Sequence, residues 1–266
     1  MEKVGLIAGN GELPILFAKA LKEHNLSVTA VAHRGETLDR LEEYVDRIFW
    51  IDIGQLQRII EVFKDEGISN AVMAGGIPKT LMFSGMKPDS RASSLLSRLE
   101  HKKDDLLLRS LAAELEKEGI NIKSTTYYLS SILAQKGCLT KKVPTDDEQK
   151  DIRFGWDIAK GIGKLDIGQT VVVKEQVILA VEAIEGTDAA IKRGGRLGGG
   201  QVVVVKVSKP DQDMRLDIPV VGVETIRSLK EAKASVLAIE AGGTIILNKE
   251  EMVKFADQEG ISIVAI

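Results

Sequence analysis

KVGLIAGNGELP, at residues 3–14, is the stretch that decides the fold of the first half of the chain. Its first six residues form an apolar run typical of a short buried strand, and residues 9–11, Gly-Asn-Gly, are typical of a tight turn. Pro14 suits the first turn of a helix, because the N–H group that proline lacks would have no partner there. A second apolar run at residues 27–32 completes a strand–helix–strand unit, which requires parallel strands and a right-handed crossover.

The same turn tests for a dinucleotide-binding fold. That fold requires the pattern G-x-G-x-x-G and an acidic residue at the end of the second strand. Gly9 and Gly11 fit the pattern, but Pro14 replaces the third glycine, and the second strand ends at His33-Arg34 without a carboxylate. The sequence therefore excludes NAD as a ligand. Gly9 and Gly11 still permit a phosphate or a uridine to approach the backbone closely, although a plain strand–helix turn is an open alternative.

Further apolar runs extend this α/β pattern toward residue 139. We predict strands at residues 47–52, 70–74 and 120–123, with helices at residues 14–22, 55–64, 102–118 and 128–135. Gly75 and Gly76 follow the fourth strand, at the end where ligands bind in open α/β sheets. They are therefore candidate substrate-binding residues, and ordinary turn residues are the alternative.

Residues 80–86 are apolar but show neither a helical nor a strand period. Met and Phe side chains adapt to irregular apolar ligands, so Met82 and Phe83 are candidates for contact with a lipid chain. An ordinary packed loop is the alternative interpretation.

Residues 137–150 combine glycine, proline and charge, which favours a domain boundary there. We predict two α/β domains, a Rossmann-like parallel-sheet domain at residues 1–139 and a second, catalytic one at residues 146–266. In the second, strands are predicted at residues 170–174, 177–184, 201–207, 236–239, 244–247 and 261–264, and helices at residues 148–160 and 249–258. Five glycines within residues 194–200 predict a mobile loop, because no strand–helix context surrounds them.

The composition excludes several classes of protein. Apolar residues make up 44% and charged residues 28%, which is typical of a soluble globular chain. The net charge of −3 gives no general attraction to nucleic acid, so no nucleic-acid partner is expected. Cys138 is the only cysteine, which fits a reducing cytoplasm, and three histidines argue against a zinc site. No apolar run approaches the ~20 residues that a membrane span requires.

Charged and amide side chains are dense at residues 180–225, where they follow two apolar runs. Carboxylate oxygens suit Mg²⁺, and cations beside them suit phosphate, so this stretch could cleave a pyrophosphate. Glu182, Asp188 and Asp217 are the candidate carboxylates, and Arg215 lies two residues from Asp217. Lys206, Lys209 and Arg193 are the candidate phosphate ligands. Side chains of this kind are also commonly solvated or paired at the surface, and that alternative is open for each of them.

Three pieces of the sequence resemble a known family. They are Asp-Ile-Gly-Gln at residues 166–169, Glu-Ala-Ile-Glu-Gly-Thr-Asp at residues 182–188, and the segment at residues 206–225. The chain resembles, over essentially its whole length, the UDP-2,3-diacylglucosamine pyrophosphatase family of lipid A biosynthesis. That family has a Rossmann-like amino-terminal domain and its own carboxy-terminal domain. One departure is Lys103, which stands where members often have a glycine before the pair Asp104-Asp105.

The resemblance implies Mg²⁺-dependent hydrolysis of UDP-2,3-diacylglucosamine to UMP and 2,3-diacylglucosamine 1-phosphate (lipid X). It implies that Asp217, within Arg-x-Asp-x-Pro, is catalytic together with Asp188 and Glu182, and that Asp217 and Asp188 bind the metal. The substrate-binding residues that we predict are Gly9, Gly11, Gly75, Gly76, Lys206, Gln212, Arg215, Thr225, Met82 and Phe83.

The substrate that the resemblance implies is a lipid-linked UDP-sugar. We therefore expect a cytoplasmic protein, peripheral at the inner face of the inner membrane, and we also expect a homo-oligomer. Two alternatives remain open: a non-catalytic nucleotide-sugar binding protein, and a hydrolase of another nucleotide diphosphate compound.

Overall fold

The computed structural model describes residues 2–78, 86–99, 104–129, 132–210, 213–216 and 218–266, with only the backbone at residues 104 and 105. The chain divides into two units, each with its own core. Unit 1 comprises Met1–Ser131 and Asp213–Asp217, and unit 2 comprises Ile132–Gln212 and Ile218–Ile266. A short piece of the second half of the sequence therefore belongs to the first unit.

Unit 1 is built on a five-stranded sheet with the order β3-β2-β1-β4-β5, and every neighbouring pair is parallel. Its strands are β1 (Lys3–Ala8), β2 (Ser27–His33), β3 (Arg47–Ile51), β4 (Asn70–Ala74) and β5 (Asn121–Lys123). Its helices are α1 (Leu13–Glu23), a 3-10 helix (Asp39–Tyr44), α2 (Leu56–Asp65), α3 (Ser90–Ser97), α4 (Asp104–Lys117) and α5 (Thr125–Tyr128). The predicted α/β class is confirmed for this unit.

The apolar runs explain why this sheet is covered by helices on both faces. Residues of β1, β2 and β4 are almost all buried, as strands of a parallel sheet must be. Alternate residues such as Ile7 and Val31 pack against α2, α3 and α4, while α1 packs on β1, β2 and β4 outside that cluster. The strand order reverses between β1 and β4, and open α/β sheets bind ligands at this switch point.

Unit 2 contains a mixed six-stranded sheet with the order β6-β13-β11-β9-β7-β8, and a two-stranded parallel sheet, β10-β12. The strands are β6 (Gly137–Cys138), β7 (Thr170–Lys174), β8 (Val177–Val181), β9 (Val203–Lys206), β10 (Val220–Val221), β11 (Val236–Ile239), β12 (Ile245–Ile246) and β13 (Ser262–Ala265). The helices are α6 (Asp146–Lys164), α7 (Thr187–Gly198), α8 (Val223–Glu231) and α9 (Lys249–Gln258). The second α/β architecture is therefore also confirmed.

Two apolar clusters flank the larger sheet of unit 2. One joins α6 to residues such as Val171 and Val205, and the other joins α7, α8 and α9 to residues such as Val172 and Val204. Gly155 lets α6 lie close to the sheet, because a Cβ there would stand 2.8 Å from side chains of both Val173 and Val205. The alternation of neighbouring valines between the two faces follows from the strand period of two.

The glycine-rich stretch at residues 194–200 is not the mobile loop that its composition predicts. Residues 194–198 form the end of α7, and Gly199, in the left-handed region at φ 65°, ends that helix. A Cβ at Gly195 would lie 2.5 Å from the carbonyl oxygen of Ala232, and one at Gly194 would lie 2.5 Å from Val172. The glycines are therefore required by close packing of α7, which a count of glycines in the sequence does not reveal.

The helix predicted at residues 128–135 is also wrong. The chain forms its short helix earlier, at Thr125–Tyr128, because the Ser124 hydroxyl caps that turn by accepting a hydrogen bond of 3.2 Å from the amide of Thr126. Leu133 instead makes an antiparallel bridge with Ile245.

We predict that Gly195→Ala destabilises the protein while Gly161→Ala does not. Both are helix glycines, but nothing lies within 4 Å of a Cβ at Gly161, whereas a Cβ at Gly195 meets the backbone of Ala232. Overpacking costs about 1–3 kcal/mol, and alanine is intrinsically favoured over glycine in a helix by about 1 kcal/mol. Urea denaturation should give a lower midpoint for Gly195→Ala and an equal or higher one for Gly161→Ala. Equal effects of the two substitutions would contradict this account of α7.

Candidate functional site

Two buried charged residues and one half-buried threonine meet at one end of the larger sheet of unit 2. We call Glu182, Thr187 and Lys206 the Lys206 cluster. The Thr187 hydroxyl donates to Oε1 of Glu182 at 2.8 Å and accepts from Nζ of Lys206 at 3.2 Å. Lys206 Nζ also donates to the carbonyl oxygen of Val220 at 2.9 Å. Glu182 and Lys206 are 7% and 6% exposed, so this is a buried charge pair joined through a hydroxyl.

The local backbone explains how these three side chains meet. β8 ends at Val181, one residue before Glu182, and Gly186 at φ 84° allows the chain to turn into α7 at Thr187. Lys206 is the last residue of β9 and lies opposite Thr170 in the antiparallel register. The ends of β8 and β9 and the beginning of α7 therefore lie together.

The Asp-Ile-Gly-Gln segment at residues 166–169 fixes the other side of Glu182. The amide of Gln169 donates to Oε2 of Glu182 at 3.2 Å. Gly168 permits this approach, since a Cβ there would stand only 2.1 Å from the carbonyl oxygen of Glu182. Oε1 of Gln169 and Oγ1 of Thr170 are buried and have no hydrogen-bond partner among the described residues. The cluster is thus bordered by two buried polar atoms that make no hydrogen bond within the described part of the protein.

The other charged residues of residues 182–193 have different surroundings. Asp188 is exposed in the first turn of α7, and no hydrogen bond or ion pair joins its side chain to another described residue. Its charge contributes to the raised pKa of Lys192, after the larger effect of the hydrogen bond with Glu231. Arg193 donates to the carbonyl oxygen of Val181 at 2.9 Å and pairs with Glu185.

Two further predicted residues have structural contacts. Thr225 is 9% exposed, and its hydroxyl accepts a hydrogen bond of 3.3 Å from the amide of Gly222, which closes the beginning of α8. This contact makes Thr225 a capping residue. Its role in substrate binding stays a prediction. Lys209, near the same strand ends, pairs with Asp166 at 2.6 Å.

A half-buried ion pair, which the sequence analysis missed, joins Lys160 of α6 to Glu240, the residue that follows β11. Lys160 Nζ lies 2.7 Å from Oε2 of Glu240, and that oxygen also accepts from the amide and the hydroxyl of Ser208 at 2.7 and 2.6 Å. Burial alone would raise the pKa of Glu240, but hydrogen bonds from Lys160 and Ser208 hold it below its ordinary value. All the acceptor positions involved are filled by the protein, so the contacts favour a structural role.

The segment 213–216 lies within unit 1, and its arginine is held by two carboxylates. Arg215 donates to Asp213 from Nε at 3.0 Å and from Nη2 at 2.8 Å, and to Glu116 from Nη1 at 2.7 Å. The hydrogen bond with Arg215 is the largest cause of the lowered pKa of Asp213, and the same contact raises the pKa of Arg215. A phosphate reaching Arg215 would compete with these carboxylates.

The predicted glycines of unit 1 lie at the switch point between β1 and β4. Gly9 N donates to Ala74 O and Asn10 N donates to Gly76 O, both at 2.8 Å. A Cβ at Gly9 would lie 2.4 Å from Gly76 O, and one at Gly75 would lie 2.3 Å from Asn10 O. Gly9 and Gly75 are therefore required by the contact between the two turns.

Gly11 has a different environment from those two glycines. It is exposed at φ 80°, and nothing lies within 4 Å of a Cβ built there. The backbone at this position is therefore accessible, and ligand binding at Gly11 stays a prediction.

His33 stands at the end of β2, beside the same switch point. Its Nδ1 lies 2.8 Å from the carbonyl oxygen of Ala8, the last residue of β1. The Thr37 hydroxyl donates to the same oxygen at 2.7 Å and accepts from the amide of His33 at 3.0 Å. Burial lowers the pKa of His33 below its ordinary value.

Four of the predicted site residues, Met82, Phe83, Gln212 and Asp217, lie outside the described residues. In the described ranges, no three His, Cys, Asp or Glu side chains are grouped so that they could hold a metal ion. No helix in those ranges is long and apolar enough to cross a membrane.

The sequence analysis missed Thr187, His33 and Gln169 as members of these polar groups. Thr187 and Gln169 lay within the quoted segments, so a signal existed, but a hydroxyl or an amide gains a role only from its spatial neighbours. His33 was noted only for the carboxylate that it replaces.

We predict that Thr187→Val destabilises unit 2, whereas Thr187→Ser does not. Valine keeps the shape of threonine but leaves Glu182 Oε1 and Lys206 without the hydroxyl that joins them. A buried polar group that loses its partner costs about 1–3 kcal/mol. Urea denaturation of both variants should therefore separate them by about that free energy of unfolding. If serine and valine lower the midpoint equally, the hydroxyl is not what holds this cluster.

Comparisons with solved structures give low similarity. The biotin carboxylase subunit of pyruvate carboxylase aligns with a TM-score of 0.30 and 15% identity, over 68% of this chain and 36% of that one. The biotin carboxylase domain of the 2-oxoglutarate carboxylase of Hydrogenobacter thermophilus gives 0.30 and 16%, over 74% and 41%. This chain thus spans less than half the length of either, and similarity of this degree has no bearing on its function.

Comparisons of sequence are more informative. Residues 3–132 match a family model described as the LpxI N-terminal domain, and residues 135–264 match one described as the LpxI C-terminal domain. A relative from Caulobacter vibrioides, named UDP-2,3-diacylglucosamine pyrophosphatase LpxI, is 33% identical over 277 residues, which cover 100% of this chain and 98% of that protein. These matches confirm the resemblance drawn from the sequence, and the chain belongs to the LpxI family.

Proposed function

We propose that this protein hydrolyses the pyrophosphate of UDP-2,3-diacylglucosamine, releasing UMP and 2,3-diacylglucosamine 1-phosphate. Membership of the LpxI family and the name of the Caulobacter vibrioides relative support this substrate. The strand order of unit 1, 3-2-1-4-5, supports the Rossmann-like description of that unit and the binding of the nucleotide at Gly9, Gly11, Gly75 and Gly76.

The observation that carries the proposal is the Lys206 cluster at the beginning of α7. That helix has no side-chain cap at Gly186, so its first amides remain available to an anion, and the helix dipole favours negative charge there. Lys206 contacts Thr187 in the same turn, and its ammonium group is held in place by hydrogen bonds. A cation fixed beside a helix N-terminus suits a phosphate group of the substrate.

Magnesium is proposed as the cofactor on the chemistry of the donors. Mg²⁺ is commonly bound by one or two carboxylates and completed by substrate phosphates, so a site need not contain three protein ligands. Asp188 is an exposed carboxylate at the uncapped helix N-terminus, without a hydrogen bond to a described residue, and it fits this role. The metal would neutralise charge on the phosphates, and Asp217 is the second ligand implied by the family.

The remaining roles follow from the substrate. Met82 and Phe83 are proposed to contact an acyl chain, and Gln212, Arg215 and Thr225 to contact the polar part of the substrate. Glu182 accepts hydrogen bonds from the Thr187 hydroxyl and from the amide of Gln169. Its contribution to catalysis would therefore be to hold Lys206 in place through Thr187. A diacylated substrate also implies work at the inner face of the cytoplasmic membrane. A homo-oligomer remains an expectation.

We predict that Asp217→Ala abolishes UMP release while substrate binding persists. Loss of a general base lowers kcat about 10²–10⁴-fold, and a misplaced metal would add to this loss. Single-turnover release of UMP from UDP-2,3-diacylglucosamine, with Mg²⁺ and again with EDTA, is the measurement. Asp157→Ala is the matched control, because Asp157 is exposed on α6. Asp213 is unsuitable as a control since it holds Arg215.

Two outcomes would count against this assignment. If Asp217→Ala turns over within about threefold of the parent protein, well short of the loss of a general base, Asp217 is not catalytic. If the parent protein binds the substrate but releases no UMP at any Mg²⁺ concentration, a non-catalytic nucleotide-sugar binding protein is the better description.

We also predict that Lys206→Gln lowers kcat/KM about 10²–10³-fold, as loss of one preorganised charge at a reacting group typically does. Lys174→Gln is the control. Lys174 Nζ donates to the carbonyl oxygens of Gly198 and Gly200 at 2.8 and 3.1 Å, at the end of α7 opposite to Thr187. Lys174→Gln should lower the urea midpoint without changing kcat/KM by more than about twofold, because it leaves the charge beside the substrate in place. Equal activities of the two variants would remove Lys206 from the site.

A further inference from the structure

His33 occupies the position at which dinucleotide-binding folds place their ribose-binding carboxylate. In those folds an acidic residue at the end of the second strand accepts a hydrogen bond from the ribose 2′-hydroxyl. Here β2 ends at His33, and the side chain is 7% exposed. The structure thus has an imidazole at the position where dinucleotide-binding folds have a carboxylate.

Contacts with Ala8 and Thr37 fix the orientation and the tautomer of this imidazole. The carbonyl oxygen of Ala8 can only accept a hydrogen bond, so Nδ1, 2.8 Å away, must carry the hydrogen. The same oxygen accepts from Thr37, whose hydroxyl accepts from the amide of His33. The ring is therefore held by a closed set of hydrogen bonds at the end of β1.

The second ring nitrogen is consequently an acceptor. Burial lowers the pKa of His33, although the hydrogen bond to Ala8 and the charge of Glu36 oppose this effect. A neutral ring with its hydrogen on Nδ1 carries a lone pair on Nε2. Nε2 has no hydrogen-bond partner among the described residues. The unpartnered side-chain atoms that are fully buried do not include Nε2, so this nitrogen belongs to the small exposed part of His33.

The surroundings of the ring are those of a ligand site. Nδ1 binds the residue immediately before Gly9, so the imidazole lies beside the turn that contains Gly9 and Gly11. The open space at Gly11 leaves the backbone of that turn accessible. A nucleotide whose phosphate approached this turn would have its ribose within reach of the end of β2, as in other folds with this strand order.

We propose that Nε2 of His33 accepts a hydrogen bond from the ribose 2′-hydroxyl of the nucleotide that binds at the Gly9–Gly11 turn. This inference rests on the proposed function, in which that nucleotide is the UMP part of the substrate. It makes His33 a residue that distinguishes a ribonucleotide from its 2′-deoxy analogue.

The test compares the binding of UMP and 2′-deoxy-UMP to the whole protein by isothermal titration calorimetry. One hydrogen bond contributes about 0.5–1.5 kcal/mol, so the parent protein should bind UMP about 2-fold to 12-fold more tightly than its deoxy analogue. His33→Asn keeps a donor near Nδ1 for the Ala8 carbonyl but removes the acceptor at Nε2. It should bind UMP only as tightly as 2′-deoxy-UMP, through a weaker affinity for UMP alone.

Two further variants make the result specific. His33→Gln places an amide oxygen near the position of Nε2, and it should restore part of the preference for UMP. Glu36→Gln removes the carboxylate that lies in the same turn, and it should keep the full preference. A parent protein without a preference, a His33→Asn variant that keeps it, or a Glu36→Gln variant that loses it would each overturn the proposal.

Failure of this inference can be told apart from failure of the proposed function. If the protein releases UMP from UDP-2,3-diacylglucosamine but shows no 2′-hydroxyl preference, the His33 assignment is wrong and the activity stands. If it neither binds nor releases UMP, the proposed function is wrong, and the His33 assignment is rejected with it.

Discussion

Close approach of backbone to backbone, at distances that only glycine permits, is the constraint on which the rest of this structure depends. A Cβ at Gly9, Gly168 or Gly195 would lie between 2.1 and 2.5 Å from a neighbouring carbonyl oxygen. Each contact positions a turn or a helix that carries polar residues. Gly9 joins the two switch-point turns, Gly168 brings Gln169 to Glu182, and Gly195 sets α7 against Ala232. The positions of the candidate site residues therefore follow from packing that involves no side chain at these points.

Charge that is partly removed from water is the second constraint. Lys160 and Glu240 are half-buried and pair with each other, and the more exposed Arg215 pairs with Asp213, each at hydrogen-bond distance. Lys206 is linked to Glu182 through the hydroxyl of Thr187, which accepts from Nζ of Lys206 and donates to Oε1 of Glu182. This link helps to fix the ammonium group beside the beginning of α7.

The sequence predicted the strands better than the polar contacts, for a physical reason. The bounds of β1, β4, β7 and β11 follow directly from apolar runs, which bury themselves wherever they lie in the sheet. The glycines of α7 misled because their composition suggests mobility, while their function is close packing against Val172 and Ala232. Whether a glycine lies in a loop or under a neighbouring helix depends on tertiary contact, which one sequence does not contain.

The hairpin between β7 and β8 shows the same limit. Glu175 and Gln176 both adopt positive φ, which their residue types do not predict. The carboxylate of Asp151, on α6, accepts hydrogen bonds from both of their amides at 2.9 and 2.7 Å. Asp151 is 24 and 25 residues away in sequence, so no local pattern connects it with the turn that it stabilises. The candidate site has the same character, because Lys206 and Thr187 meet only after the sheet has formed.

The Lys206 cluster contains charged side chains, whereas the switch point of unit 1 has the imidazole of His33, and this difference has a physical reason. The net charge of −3 gives the whole protein no attraction for a phosphate, so attraction must come from groups fixed at short range. At the switch point, dinucleotide-binding folds place a carboxylate at the end of β2, close to the pyrophosphate that they bind at the adjacent turn. A buried imidazole that directs its Nδ1 hydrogen to the Ala8 carbonyl can accept from a hydroxyl at Nε2 without adding negative charge. The replacement of the usual acid by His33 therefore keeps a hydrogen-bond acceptor at the end of β2 while it removes one negative charge from the switch point.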